Sequence, residues 1–344
     1  MSARCTRHLG RWGWRVGTAL RRALAYATLA AATAAAAAGG NAENVDLVFA
    51  GDVVLDATAG TLIAQGGDPF VGFADVFKRA DIRVANLECV VATTGEAGNK
   101  TFTFRAHPRV LPVLRKHFDA LALANNHSGD YGRAAFAEML GLLKQAGLAS
   151  FGGGYNLREA HTPWIVERKG LRIALLAYSE FMPRSFEADF DAPGVAWSED
   201  EQVVHDIRQA RSRYRADLVI PMMHWGWENE RVANARQRQL ARVMIDAGAD
   251  AVIGGHPHVR QDIEIVNGKP VVYSVGNFVM EETDNDQQRI GWVLQLSLDK
   301  AGVVSWRTHT AAIDMEGIPT PAVVQSSPCW ERGQDRPGAC SVAP

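Results

Sequence analysis

The sequence predicts one mixed α/β domain, and three observations carry that reading. Uninterrupted apolar runs of strand length alternate with amphipathic helical stretches as far as residue 255. Past residue 260 the runs become paired strands around tight turns. Polar clusters stand where the earlier apolar runs end, and no break, repeat or low-complexity linker separates one cluster from the next.

The first run, VDLVFAG (45–51), ends in Gly-Asp and has the unbroken apolar character of a strand buried on both faces of a parallel sheet. A helical stretch near 72–80 leads to IRVANLE (82–88). Another over 108–117 leads to DALALA (119–124), and 133–146 is an amphipathic helix. LRIALLAY (171–178), ADLVIPMM (216–223) and ADAVIGG (249–255) continue the alternation, with helices near 200–214 and 231–247. DIEIVNGKPVVYSVG (262–276) is a hairpin around Asn267-Gly268, the dipeptide that tolerates the left-handed angles of a type I′ turn. Residues 290–298 and 303–310 form a second antiparallel pair.

The formal charge of −2 hides an asymmetry. Six arginines and no acid fall in residues 1–42, leaving 30 bases against 38 acids in the rest. A body with that acidic balance is unsuited to sequence-independent nucleic-acid binding, which depends on neutralising phosphates. The arginine-rich start runs into ALAYATLAAATAAAAAGGNA (23–42), a short region of small apolar residues. This is the pattern of a secretory signal, cut near Ala38 or after Ala42, so the mature protein is expected to be exported, periplasmic or otherwise extracytoplasmic. The apolar part falls short of the roughly 20 residues of a membrane span; retention as an N-terminal anchor is the alternative. Arg21-Arg22 leaves Sec and twin-arginine export both open. Cys5 would leave with the signal, while Cys329 and Cys340 bracket a Pro/Gly-rich tail and could close a disulfide in an oxidising compartment. Cys89 is expected to be buried, which argues against thiol catalysis, and no metal-type cysteine spacing is present. The domain limits are therefore a signal over 1–42, the folded domain over 43–315 and a tail over 316–344.

The polar clusters carry the chemistry. Asp52 follows the first strand, Asn86 and Glu88 the second, and Asn125, Asn126 and His127 the third; His224 follows LVIPMM, and His256 with His258 follow AVIGG. Ligand sites in open α/β sheets form outside the carboxyl ends of the strands, so these clusters are expected to converge on one sheet edge. Two carboxylates, one or two amides and four imidazoles without thiolate suit Zn²⁺, Mn²⁺ or Fe, and could hold two ions. In such pairs the ions lie roughly 3.5–4 Å apart and clamp a shared hydroxide and the substrate oxygens. Glu88, with two oxygens to offer, is placed to bridge. Pro257 keeps His256 out of the helical region, and an extended backbone there would set His256 and His258 on the same side.

GDVVLD (51–56), NLE (86–88), ANNHSGDYG (124–132), HWGWE (224–228), GGHPHV (254–259) and YSVGNF (273–278), in that order, resemble the CapA/PgsA family of poly-γ-glutamate (capsule) synthesis proteins. That family is similar in turn to the calcineurin-like metallophosphoesterases. The resemblance implies a four-layer α/β/β/α sandwich with mixed sheets and a dinuclear site at the strand carboxyl ends. It implies two divalent ions (Mn, Fe or Zn), with Asp52 and His258 on one, Asn126, His224 and His256 on the other, and Glu88 between them. His127 would be the outer-sphere acid, oriented by Asp130. Val54 stands where metallophosphoesterases usually carry a His, leaving Asp56 or water to complete the first ion's shell. Glu88 replaces their usual bridging Asp. The implied role is making, exporting or anchoring poly-γ-glutamate, an anionic polymer, alongside membrane synthase subunits and by metal-dependent hydrolysis. A non-catalytic polymer- or synthase-binding assembly factor on the same fold, or a periplasmic phosphatase, is the alternative.

The remaining polar and aromatic features read more plainly. Asn86 and Asn125 are structural, Asn277 is a second-layer donor or a turn residue, and Trp225 and Trp227 line a pocket or pack. Arg105 meets an anionic substrate or is simply solvated. FGGGY (151–155) lacks the Lys-Ser/Thr of a phosphate loop and reads as a turn. His107, His117, His161, His205 and His309 lie outside the motifs and are ordinary.

Overall fold

The computed structural model describes residues 43–181, 184–280 and 285–341. The expected export segment, with Cys5, lies outside the described residues. From Asn44 onward the chain forms one compact unit.

The parallel βα half comes first. β1 (Val45–Val53) is followed by α1 (Ala57–Ala64), α2 (Ala74–Arg79) and β2 (Ile82–Leu87). Then come α3 (Leu111–His117), β3 (Ala120–Ala122), α4 (Gly132–Gln145) and β4 (Ala149–Phe151). A second set follows: β5 (Trp164–Arg168), β6 (Leu171–Ser179), α5 (Asp200–Ser212), β7 (Leu218–His224), α6 (Ala235–Ala247) and β8 (Val252–Gly255). Strands alone complete the fold: β9 (Ile263–Val266), β10 (Lys269–Val272), β11 (Asn277–Val279), β12 (Ile290–Asp299), β13 (Gly302–Ile313), β14 (Ser326–Glu331) and β15 (Gly338–Ser341). The β9–β10 turn has Asn267 at φ 50° and Gly268 at φ 75°, the two left-handed residues a type I′ turn requires. Helix α6 starts at 235 rather than 231, because Asn234 and Gln237 form a reciprocal capping box there, an arrangement worth about 1 kcal/mol.

Two sheets result. One runs β15-β14-β13-β12-β1-β2-β3-β4, parallel from β1 to β4 and antiparallel from β1 outward through β12, with β11 added parallel to β1. The other runs β9-β10-β8-β7-β6-β5, with β6, β7, β8 and β10 mutually parallel. Period-two alternation divides the second sheet between two cores. Ile173, Leu175, Leu218 and Ile220 pack with the first sheet, whereas Leu176, Tyr178, Val219 and Met223 pack with Ile207 of α5 and Leu240 and Met244 of α6. Phe77 of α2, Leu114 of α3 and Phe136 of α4 join the core of the first sheet. The layers are therefore helix, sheet, sheet, helix, the four-layer α/β/β/α sandwich.

This layering corrects one expectation. The polar clusters do not share one sheet edge. Asp52, Glu88 and Asn126 come from the first sheet, and His224 and His256 from the second, because β1–β3 and β7–β8 are hydrogen-bonded into separate sheets. Cys329 and Cys340 are disulfide-bonded between β14 and β15, with Cα atoms 5.7 Å apart; Cys89 is a buried free thiol. Among the described residues no helix is long and apolar enough to cross a membrane.

Candidate metal centre

Where the carboxyl ends of the two sheets meet, Asp52, Glu88 and His256 are fully buried, and His224 and His127 nearly so. Each arrives by a different element. Asp52 is the penultimate residue of β1, Glu88 follows β2, Asn126 and His127 follow β3 by a few residues, His224 ends β7, and His256 follows β8. Apolar runs that must be buried thus deliver polar residues to one point as soon as the hydrogen-bonded strands end.

Two triads have ligand atoms within 4.8 Å of one another, Glu88–His256–His258 and Asp52–Glu88–His224, and Glu88 belongs to both. His258 Nδ1 also lies 3.8 Å from Asp52 Oδ2, and the His224 and His256 rings stand 4.6 Å apart, so the five residues form one cluster. Asn126 joins it through Oδ1, 2.6 Å from His224 Nε2.

Neighbours fix most of these groups. Asp52 accepts from the Asn86 amide at 2.8 Å and from the His256 backbone N–H at 3.1 Å. Asn86 Oδ1 in turn accepts from Asn125, whose own Oδ1 receives the backbone N–H groups of His127 and Ser128. Asn86 and Asn125 thus brace the loop that carries Asn126 and His127. His258 Nδ1 lies 2.8 Å from Asn277 Oδ1, the partner that orients its ring. A Cβ at Gly255 would stand 2.8 Å from Asp52 Oδ1, so glycine keeps that carboxylate in place.

The backbone at the histidine pair differs from the expected extended form. His256 has φ 93° and His258 φ 58°. Pro257 does bar His256 from the right-handed helical region, but the chain takes the left-handed side instead, a conformation costing roughly 1–3 kcal/mol per residue. The Asp52–His256 N–H bond and the bond from Asn229 N–H to Pro257 O at 2.9 Å hold it there.

The remaining atoms test the fit of a metal. Both Glu88 oxygens and both His256 ring nitrogens are buried with no hydrogen-bond partner among the described residues. Buried polar atoms are almost always paired, and a bare carboxylate costs several kcal/mol to desolvate. Burial, reinforced by the Asp52 charge, pushes the Glu88 carboxyl up to about 8. Burial pulls His224 down to about 4 and His256 well below its usual value, keeping both imidazoles neutral, as a metal ligand must be. Burial also acts downward on His258, but the Glu88 and Asp52 charges and the Asn277 bond outweigh it and raise that group. This donor set, two carboxylates and three imidazoles around orphaned buried atoms, fits divalent ions.

Asp56 is otherwise engaged. Its Oδ1 accepts from Ala57 N–H at 2.8 Å and its Oδ2 from Arg105 N–H at 2.9 Å, so it caps α1 and ties down a neighbouring loop. Val54 is buried and apolar.

At the rim, His127 Nδ1 lies 2.7 Å from Asp130 Oδ2. Asp130 also accepts from Phe104 N–H at 2.8 Å and from the Lys100 ammonium at 2.5 Å, while Lys100 donates to Asn126 O at 2.9 Å. Phe104 packs on His127, ring centroids 4.5 Å apart, and Phe181 lies 4.1 Å from the His256 ring. Sequence reasoning missed Lys100, Phe104 and Phe181. All three lie in irregular segments whose spacing carries no signal. Trp225 is buried, donating to Tyr273 O, whereas Trp227 is exposed near Phe181. Arg105 is committed to the Thr94 and Gly95 carbonyls and the Tyr131 ring.

Residues 46–282 match the model of a family described as bacterial capsule synthesis protein PGA_cap. The chain is 32% identical over 280 residues to the PGA biosynthesis protein CapA of Bacillus subtilis (strain 168), covering 79% of this chain and 72% of that one. It is 27% identical over 249 residues to the capsule biosynthesis protein CapA of Bacillus anthracis, covering 70% and 61% respectively. Among solved structures it is similar to the NAD nucleotidase of Haemophilus influenzae, with a TM-score of 0.44 and 11% identity over 82% of this chain and 54% of that one.

Proposed function

This chain belongs to the PGA_cap family of bacterial capsule synthesis proteins, and from that premise we propose that it is exported and serves poly-γ-glutamate synthesis, export or anchoring as a metal-dependent hydrolase. One observation carries the enzymatic part: Glu88 and His256 present four buried ligand atoms that make no hydrogen bond among the described residues, within reach of Asp52, His224 and His258. Asp52, Glu88, Asn126, His224, His256 and His258 would hold one or two divalent ions. Such ions act as Lewis acids and lower the pKa of coordinated water.

The chain's own residues do the rest. Asp130, fixed by Lys100 and Phe104 N–H, takes the Nδ1–H of His127, which selects one tautomer and leaves Nε2 to exchange a proton with the leaving group. Phe104 and Phe181 cover His127 and His256 and limit water around them. The substrate is a phosphoester or an amide-type bond of the polymer.

The test is His127→Ala in metal-loaded protein, assayed on a chromogenic phosphodiester and on γ-linked oligoglutamate. Turnover is expected to fall about 10²–10⁴-fold with metal content unchanged. Turnover equal to wild type would remove His127 from the reaction. The commitment of both Asp56 oxygens to backbone N–H groups, beside an apolar Val54, favours a second reading: a polymer- or synthase-binding assembly factor with a reduced ligand set. Polymer binding by a metal-loaded wild type without turnover of either substrate would select it.

A further inference from the structure

Beside the His256–His258 loop lies a second cleft, of about 560 Å³, lined in part by Arg231, Val259, Arg260, Gln287 and Trp292. Its chemistry is opposite to that of the centre. Elsewhere, half-buried guanidinium groups have oxygen acceptors: Arg83 sits on Asp119, Arg211 on Asp250, Arg236 on Glu180 and Arg238 on Asp262, while Arg105 and Arg133 donate to backbone carbonyls. Arg260 is half-buried and has neither a hydrogen bond nor an ion pair among the described residues; it stands over the Trp292 ring, 5.3 Å from the centroid. An aromatic face offsets part of the desolvation of a cation but supplies no acceptor for its N–H groups. The like charge of Arg231 bears on Arg260. Trp292 adds a further unmet donor, its indole N–H being buried without a hydrogen-bond partner among the described residues. Asp262, the carboxylate lining this cleft, is taken up by Arg238 and by Ala233 N–H.

The two arginines are held in position. Gln261 donates to Glu230 O at 2.8 Å, fixing the residue before Arg231 against the residue after Arg260. Asn229 receives Asn285 at 2.7 Å and Gln288 at 2.9 Å, and Asn277, the partner of His258, donates to Gln288 O at 3.1 Å. One hydrogen-bonded frame therefore spans the His258 loop and the cleft.

We infer that the Arg231–Arg260 cleft is an anion subsite that takes carboxylates of a polycarboxylate chain next to the metal centre. Unpaired, mutually repelling guanidinium groups in a partly desolvated cleft are stabilised by an anion with oxygens to accept their N–H groups. In a chain whose residues past 42 carry 30 bases against 38 acids, such a site is local and not part of a general positive surface. The inference rests on the polymer reading above, and it adds how the polymer is gripped: by the free α-carboxylates of residues away from the bond being cleaved.

The experiment is fluorescence anisotropy of a labelled γ-linked oligoglutamate at low ionic strength, titrated with metal-loaded wild type, Arg260→Gln, Arg231→Glu and the double variant. Metal content and melting temperature serve as fold controls. Each single substitution is expected to weaken binding about tenfold and the double variant more, and the oligomer with its free α-carboxylates capped as methyl esters is expected not to bind. Arg231 is exposed, so its variant tests the idea even if Arg260→Gln folds poorly. Wild-type affinity in Arg231→Glu and the double variant, or equal binding of the esterified oligomer, overturns the subsite and leaves the functional reading standing. No binding by metal-loaded wild type overturns both.

Discussion

Two buried histidine–carboxylate clusters in this molecule have the same ingredients and opposite states. On the outer face of the second sheet, Asp206 of α5 accepts from His161 Nδ1 at 2.7 Å, Gln202 Nε2 at 2.7 Å and Tyr178 OH at 3.0 Å. In the metal centre, the Glu88 oxygens and the His256 ring nitrogens make no hydrogen bond among the described residues, although His224 Nε2 lies 3.3 Å from Glu88 Oε1. A completed polar network meets the cost of its own burial and defines how α5 docks on β6. An incomplete one is tolerated only if something outside the chain completes it. The difference separates structure from function more sharply than burial or residue type, since His161 and His256 are both buried imidazoles.

The largest expected effect breaks the incomplete cluster. Glu88→Ala or His256→Ala should weaken metal binding at least about a thousandfold, equivalent to about 4 kcal/mol, as measured by equilibrium dialysis and elemental analysis. The same change at His161 should leave metal content untouched. Metal retained by both centre variants would mean that the orphaned atoms have another purpose. A smaller effect is expected from breaking the complete cluster. Asp206→Ala leaves His161, Tyr178 and Gln202 without their acceptor and should cost about 3 kcal/mol of stability in urea titrations, with metal content at wild-type level. A loss below about 0.5 kcal/mol, the size of an ordinary surface change, would undo the contrast.

Sequence made one half of this comparison legible. Asp52, Glu88, His224 and His256 could be placed because each ends an apolar run, and burial of those runs leaves the next residue at the sheet's carboxyl edge. What an apolar run does not encode is which sheet it joins, so the division of the site between two sheets was invisible. Pro257 excluded one backbone region for His256 without choosing among the others, and the left-handed answer depends on bonds from Asp52 and Asn229, residues far away in sequence. Lys100 reaches Asp130 across 30 residues of irregular chain, a pairing no periodicity reveals. Helix α1 and strand β5 also escaped notice. The first contains a glycine and has too few large apolar residues to mark a face; the second is only five residues long.

The smallest effect is the most specific to the centre. Between the usual 4.5 and its raised value of about 8, the folded metal-free protein holds one proton on Glu88 that the unfolded chain has released, so this stabilisation falls as pH rises and is gone above 8. His224 acts in the opposite sense, since its value is lowered from 6.5 to about 4, but its contribution is complete by pH 6.5, as is that of His256. His258 is raised and adds to the Glu88 slope. Between pH 6.5 and 8 these shifts all have one sign, and the metal-free protein should lose stability at up to about 1.4 kcal/mol per pH unit for each proton involved. Urea midpoints of chelator-stripped protein across that window provide the measurement. Glu88→Gln, which cannot ionise, should flatten the slope. Metal-loaded protein should show the reverse trend, because ions bind deprotonated ligands and gain affinity as pH rises. A metal-free profile that rises with pH, or a slope that survives Glu88→Gln, would place the pH-sensitive group elsewhere and remove the electrostatic basis for calling the first cluster incomplete.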